Sequence, residues 1–124
     1  VRGICCLVPG IKNMSNNIEV ISIVDRFLEH TRFMIFNNDN KNKVYISSAD
    51  WMTRNLDNRV EVTCPIFQND LKKEINDIFE IYWMDNVKSS RINSSKSIKP
   101  FYSKNIHRSQ EKIYQYYLNK IEKS

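Results

Sequence analysis

The sequence contains few of the residues on which several common kinds of site depend. Only two glycines are present, Gly3 and Gly10, which excludes the glycine-rich loop that cradles phosphates in P-loop proteins. The three cysteines are Cys5, Cys6 and Cys64; because two are adjacent and the number is odd, a disulfide framework is not expected. No Cys-x-x-Cys or Cys/His spacing indicates zinc. We therefore expect small buried thiols in a reducing cytosol.

Long hydrophobic runs are absent as well. The longest apolar stretches fall far short of the about 20 residues that span a bilayer, so we expect no transmembrane segment. No charged region followed by an apolar core stands at the start of the chain, and no signal peptide is predicted. We expect a cytoplasmic protein, free or peripheral to the membrane. Because the chain starts at Val1 and runs at once into apolar residues, we expect a fragment of a longer protein whose site is incomplete by itself.

The residues that are present are those of a globular protein. The 124 residues are 41% hydrophobic and 27% charged, and we predict a single domain over 1–124. The formal net charge of +5 favours polyanionic partners such as nucleic acids, nucleotides, phosphate chains or acidic membranes. Charge alone does not choose among them, and the basic residues of the last third could equally form a solvated surface. These are Lys88, Arg91, Lys96, Lys99, Lys104 and Arg108.

Hydrophobic patterning predicts an α/β sandwich, mostly one sheet with helices packed against it. The runs that favour strands are 1–7, 18–24, 33–36, 44–48 and 60–65. The asparagine-rich residues 37–43 predict a turn, so the strands on either side of it should form a hairpin.

The later part of the sequence favours helices. A short helical turn is expected within 48–59, a helix over 69–85, and a last helix over 106–121 within the C-terminal segment 106–124. Between the last two, residues 86–105 are rich in Ser, Lys and Asn, so we expect a weakly ordered loop there. One face of the helix 69–85 carries an apolar stripe that predicts a core contact. The stripe consists of Leu71, Ile75, Ile78, Phe79 and Tyr82.

Polar clusters follow two of the apolar runs, at residues 25–32 and 47–59. In an extended backbone His30 and Arg32 share one face, and an imidazole beside a fixed guanidinium suits a phosphate. His30 could become a phosphohistidine, or it could donate a proton or hydrogen bond to a phosphate; residue types do not separate these roles. Asp50 and Asp57 could bind a metal, but surface or turn-capping roles are favoured. The other histidine, His107, is expected to be exposed and without a role.

Three stretches, VRGICCL, IEVISIVDRFLEHTR and VYISSADWMTRNLDNRVEV, resemble the C-terminal domain of bacterial polyphosphate kinase. The likeness covers residues 1–85 well and the tail loosely. It implies a phospholipase D-like fold, a mixed β-sheet flanked by α-helices, with this chain as the second of two such domains. The phospholipase D pattern is His-x-Lys followed by Gly-Ser-x-Asn. The segments 30–32 and 47–50 are degenerate versions, with Arg32 for Lys and Asp50 for Asn, which counts against an independent phosphodiesterase activity.

The resemblance implies a role in the reversible transfer of the γ-phosphoryl group of ATP to polyphosphate. The transfer runs through a phosphohistidine in the preceding domain, and the ligands of Mg²⁺ also lie outside this chain, so no metal ligand is expected within it. Arg2 and His30 match ATP-contacting positions of the polyphosphate kinase family. Arg2 would bind phosphate oxygens, and His30 would donate a hydrogen bond or a proton to the phosphoryl group during its transfer. We add Arg32, Asp50 and Arg54 as supporting residues by our own inference.

The implied partners are ATP, ADP, polyphosphate, the other domains of the same polypeptide and further copies of it, since the family assembles as oligomers. The fragment alone is expected to be inactive, and no nucleic-acid partner is expected. Two alternatives stay open. One is a phosphodiesterase or nuclease of the phospholipase D type, which would need a second motif from a dimer partner. The other is a non-catalytic module that only binds polyanions, with strongly salt-dependent affinity.

Overall fold

Three short strands come first, and helices and strands then alternate, along the part of the chain that the structure, a computed structural model, describes: residues 7–39, 41–92 and 105–122. The elements are β1 (Val20–Ile23), β2 (Phe33–Phe36), β3 (Lys43–Ser47), α1 (Thr53–Leu56), β4 (Thr63–Ile66), α2 (Asn69–Trp83), β5 (Ser89–Ile92) and α3 (Ser109–Ile121). The described residues fall into two compact units. The terminal unit holds the residues up to Glu29 and from Glu80 onward, and the central unit holds His30–Phe79.

The central unit is built on an antiparallel sheet in the order β2-β3-β4. Phe33 pairs with Ile46, and Ser47 pairs with Thr63. The hairpin predicted for 33–36 and 44–48 is thus confirmed. The turn between its strands places Asp39 at φ 49°, a left-handed conformation that aspartate tolerates better than most residues. The helical turn expected within 48–59 is α1, which lies in the connection from β3 to β4.

Few hydrophobic side chains are buried in the described residues: Val44 is 1% exposed and Ala49 is 7% exposed. The rings of Phe33 and Phe79 meet edge to face, with centroids 6.3 Å apart. The predicted core stripe of α2 is only partly covered, since Leu71 and Phe79 are exposed and no described residue of that helix is buried. Spacing identifies the apolar face of a helix, but it does not state how much of that face other residues cover.

The terminal unit contains a second antiparallel pair, in which Val20 of β1 lies opposite Ile92 of β5. The described ranges therefore contain two sheets, where the pattern predicted mostly one. The strand β5 also lies inside the stretch expected to be weakly ordered. Its sequence SSRI has a single apolar residue, so hydrophobic periodicity cannot detect it, and the pairing with β1 provides its hydrogen bonds. The predicted strand 1–7 lies outside the described residues except for Leu7, as do residues 93–104 of the predicted loop.

The buried carboxylate of Asp85 connects the end of α2 to the start of α3. Its Oδ1 accepts backbone N–H groups from Val87, Lys88 and Ser89 at 2.9, 2.7 and 3.0 Å. Its Oδ2 accepts the N–H of Ser109, the first residue of α3, at 2.7 Å. Burial alone would raise the pKa of Asp85, but these donors favour the charged form and the pKa is lowered. One aspartate therefore fixes both a turn and a helix N-terminus.

Two side chains lie in surroundings that differ from the predicted ones. His107 is half-buried, with Nε2 3.0 Å from the carbonyl oxygen of Ile81, and its N–H donates to Oδ1 of Asn86 at 2.8 Å. The expectation that His107 is exposed is wrong, because it connects the end of α2 to the segment before α3. Cys64, expected to be buried, is exposed on β4 and free; residues 5–6 lie outside the described part.

Candidate functional site

The structure brings His30 and Arg32 together at the start of the central unit. His30 is exposed and lies three residues before Phe33, the first residue of β2, whereas Arg32 is half-buried. Nη2 of Arg32 lies 3.2 Å from Nε2 of His30, and Nη1 lies 3.5 Å from Nδ1. Nη1 also donates to the carbonyl oxygen of His30 at 3.3 Å. The fixed cation thus lies along the whole imidazole edge, as the alternation of an extended backbone predicted.

Asp50 holds the other side of the same guanidinium. Nε of Arg32 donates to Oδ1 of Asp50 at 2.5 Å, and the two side chains are 23% and 37% exposed. This hydrogen bond is the main reason that the pKa of Asp50 is lowered, and the nearby charges of Arg32 and Arg54 act in the same direction. Arg54, on α1, therefore acts on Asp50 through its charge. The three residues added as supporting groups lie in one electrostatic neighbourhood.

A second carboxylate near this pair is that of Glu61, in the β3–β4 connection. Glu61 accepts a hydrogen bond from Oγ of Ser48, and its Oε1 accepts Nδ2 of Asn55 at 2.9 Å. These two hydrogen bonds lower the pKa of Glu61. Neither Glu61 nor Asn55 was picked out from the sequence. The register of β3 and β4 is the signal that could have found them, because pairing Ser47 with Thr63 brings the two ends of the connection together.

The segment that leads to His30 is held within the terminal unit by a nearly buried ion pair. Arg108 donates through Nε and Nη2 to the two carboxylate oxygens of Asp25, at 2.8 and 2.6 Å. The side chain of Asp25 is 1% exposed. Hydrogen bonding from Arg108 lowers the pKa of Asp25 to about 2. From the sequence, Arg108 is one of the basic residues that could form a solvated surface. In the structure its guanidinium instead binds the buried carboxylate of Asp25 through two nitrogen atoms.

The amide of Gln110 adds a second connection in the same unit. Its Oε1 accepts the N–H of Phe27 at 3.1 Å, and its Nε2 donates to the carbonyl oxygen of Phe27 at 2.9 Å. Nε2 also donates to Glu29 at 2.6 Å, and Tyr82 donates its hydroxyl to the same carboxylate at 2.7 Å. Sequence reasoning missed all of these contacts, since they join residues far apart in the chain.

Two sequence candidates remain, Arg2 and Asp57. Arg2, the other ATP-contacting candidate, lies outside the described residues. Asp57 forms the C-cap of α1, and Asp50 is paired with Arg32. Within residues 7–39, 41–92 and 105–122, no three acidic, histidine or cysteine side chains are grouped so as to hold a metal ion.

Residues 1–112 match the model of the family described as "Polyphosphate kinase C-terminal domain 2". This chain belongs to the polyphosphate kinase family. It is 52% identical over 125 residues to the polyphosphate kinase of Vibrio parahaemolyticus and 49% identical over 125 residues to that of Vibrio cholerae; each match covers 99% of this chain and 18% of the relative. The polyphosphate kinase of Escherichia coli strain K12 is 50% identical over 97 residues, which cover 78% of this chain and 14% of that protein.

A solved polyphosphate kinase has the same fold. The crystal structure of the enzyme from Porphyromonas gingivalis matches 99% of this chain and 19% of that chain, with 46% identity and a TM-score of 0.93. The expected family and the expected fold class, a phospholipase D-like arrangement of β-sheet and α-helices, are thereby confirmed. The chain spans about 18% of the length of these two Vibrio polyphosphate kinases. Among the described residues, no helix has both the length and the apolar character needed to cross a membrane.

Proposed function

We propose that this domain contributes His30 to the reversible transfer of the γ-phosphoryl group of ATP to polyphosphate. The phosphohistidine of that reaction lies in the preceding domain of the same polypeptide, so the isolated chain is inactive. The observation that carries the proposal is the contact of His30 with Arg32 in a chain that matches the family along residues 1–112. Arg2 matches an ATP-contacting position of the family and is assigned to the phosphate oxygens.

The geometry of the site suits a phosphoryl group that is being transferred. Phosphoryl transfer depends mainly on positioning and on stabilisation of charge. His30 is exposed, so its imidazole can donate a hydrogen bond or a proton to a phosphate oxygen. Asp50 occupies Nε of Arg32, which leaves both Nη atoms on the His30 side, where they can share the same phosphate. Arg54 adds positive charge nearby.

Magnesium ions accompany ATP in this proposal, but their ligands lie outside this chain. Mg²⁺ prefers carboxylate oxygens and waters in octahedral geometry. Asp50 is already engaged by Arg32, and no three acidic, histidine or cysteine side chains of the described residues are grouped so as to hold a metal ion, so these residues do not fit a resident magnesium site. The proposed setting is a cytoplasmic homo-oligomer that binds ATP, ADP and polyphosphate.

The test uses the intact parent protein and follows polyphosphate formation from ATP and magnesium. We expect His30→Ala to lower kcat by at least about a hundredfold, the scale of a positioned acid–base group. Thr31→Ala is the matched control, because neighbouring side chains of an extended segment point to opposite faces, and it should keep the wild-type rate. A wild type that makes no polyphosphate contradicts the proposal.

The same assay separates the alternatives. If His30→Ala keeps a normal rate while added salt abolishes polyphosphate binding, the domain is a polyanion-binding module. A wild type that cleaves a generic phosphodiester in place of making polyphosphate would favour the phospholipase D-type alternative. The ion pair between Arg32 and Asp50 counts against that alternative, because the positions of the phospholipase D lysine and asparagine are occupied here by mutually engaged charges.

A further inference from the structure

The β3–β4 connection carries Asp50 near its start and Glu61 near its end. Beyond the paired residues Ser47 and Thr63, the N–H of Ser48 still donates to the carbonyl oxygen of Val62 at 3.0 Å. The two ends of the connection therefore run side by side. Asp50 lies only two residues after Ser48, so whatever fixes Ser48 also restricts where Asp50 can be.

Glu61 fixes Ser48 directly. The Ser48 hydroxyl donates to Oε2 of Glu61, and its oxygen also accepts the N–H of Val62 at 3.0 Å. At the other carboxylate oxygen, Asn55 donates through Nδ2 at 2.9 Å. Asn55 belongs to α1 and is 2% exposed, so its donor is buried. A buried amide group of this kind is costly to leave without an acceptor, and one carboxylate thus joins the end of β3 to α1.

The charge of Glu61 also reaches the guanidinium. The pKa of Arg32 is raised, first by its hydrogen bond with Asp50 and to a smaller extent by the charges of Asp50 and Glu61. Hydrogen bonds from Ser48 and Asn55 lower the pKa of Glu61, so Glu61 is ionised at neutral pH. Arg32 therefore lies in the field of two carboxylates, of which only Asp50 contacts it.

Among the described residues of this connection, the one buried hydrophobic side chain is the small one of Ala49, and the larger ones are exposed. Trp51 is 77% exposed, Leu56 is 61% exposed and Val60 is 99% exposed. Exposed side chains contribute little to fixing a backbone segment, because they lose little contact with water on folding. The hydrogen bonds of Glu61 are therefore one restraint on the position of Asp50, beside its own ion pair with Arg32.

We propose that Glu61 is a positioning residue for His30, acting through Ser48, Asp50 and Arg32. This inference rests on the proposed function, since His30 is the group that meets the phosphate. Glu61 holds Ser48 and α1, which sets the position of Asp50. Asp50 in turn holds Nε of Arg32, and this leaves the Nη atoms against the imidazole of His30.

The test compares Glu61→Ala and Glu61→Gln in the intact protein, with the exposed Glu80→Ala as the matched control. We expect Glu61→Ala to lower kcat about tenfold or more, because displacements of about 1 Å far from the chemistry can cost up to about a hundredfold. KM for ATP should change less than about twofold, as expected when a transition-state interaction is lost. Glu61→Gln keeps one acceptor oxygen for Nδ2 of Asn55, and its amide can donate to the hydroxyl oxygen of Ser48, so this variant should stay within about threefold of wild type. A Gln variant as impaired as the Ala variant overturns positioning by hydrogen bonds.

A double-mutant cycle separates positioning from general damage to the fold. If Glu61 acts through Asp50, Glu61→Ala has no further effect on kcat in an Asp50→Ala background. Effects that multiply overturn the inference.

Hydrogen exchange of the backbone amides in 48–52, measured on the same intact proteins, gives a readout that does not depend on activity. Glu61→Ala should speed exchange there and Glu80→Ala should not; unchanged exchange also overturns the inference. An inactive wild type contradicts the proposed function instead, while the exchange result still decides whether Glu61 fixes the connection.

Discussion

The guanidinium Nε of Arg32 lies 2.5 Å from a carboxylate oxygen of Asp50. Besides Ser47 for Gly, these are the two positions at which the sequence departs from the phospholipase D pattern, with Arg for Lys and Asp for Asn. The structure shows that the two departures meet in one ion pair. Arginine can engage Asp50 through Nε and still present two Nη atoms to His30, whereas a lysine ammonium is a single point charge. The two changes are therefore understandable as a unit.

We expect the residues of this pair to act as one unit in catalysis. In the intact enzyme, Arg32→Lys and Asp50→Asn should each lower kcat about tenfold, because either change loosens the group that faces His30. The double variant should be no slower than the slower single variant. Initial rates of polyphosphate formation measure this.

The control is Arg91→Lys, in the exposed pair of Arg91 with Glu19, which should keep the normal rate. If the effects of the Arg32 and Asp50 substitutions on kcat multiply, the two residues act separately and the prediction is wrong.

We expect the stability of the protein to depend on Asp25 in acid. The pKa of Asp25 falls from an ordinary 3.8 to about 2 in the folded chain. The pair with Arg108 therefore stabilises the fold fully above pH 4, and this contribution is lost as the pH falls from about 4 to about 2. Asp25→Asn should lower Tm by about 5 °C at pH 7, and the difference from wild type should shrink as the pH approaches 2. Thermal unfolding at several pH values measures this, and a difference independent of pH would contradict it.

Removal of the Asp85 carboxylate should destabilise the start of α3. Asp85→Ala leaves four backbone N–H groups without their acceptor, in surroundings where Asp85 is 3% exposed. We expect a loss of about 2–4 kcal/mol in the free energy of unfolding. Asp85→Asn keeps one acceptor oxygen and should lose less. Urea unfolding of the intact protein gives the values. The exposed Asp57→Asn is the control, expected to change stability by less than about 0.5 kcal/mol, and an equal loss in both would contradict the role of Asp85.

Local patterns predicted much of the central unit. The strand 33–36 was predicted at the bounds that β2 has, and the neighbouring strand and the helix α2 were predicted to within one or two residues. These elements are accessible to sequence reasoning because apolar alternation and helical spacing are local properties. The shared face of His30 and Arg32 follows from alternation as well.

The elements that sequence reasoning missed depend on partners far along the chain. The strand β5 has almost no apolar pattern and is ordered by its pairing with β1. Likewise, nothing near Arg108 indicates that it meets Asp25, or that Gln110 meets Phe27. Side chains so far apart in sequence are brought together only by the complete chain path.

The amino-acid sequence by itself determined the class of the domain, the position of its main helix and central hairpin, and the cluster 25–32 that carries His30. These depend on spacing and residue type over a few neighbouring positions. Only the tertiary structure decided that Asp50 is the partner of Arg32. It also decided that Glu61 accepts hydrogen bonds from Ser48 and Asn55. Likewise, it decided that Arg108 binds the nearly buried carboxylate of Asp25. Which charged groups form a pair depends on their distance and desolvation in the folded chain, and the local sequence determines neither quantity.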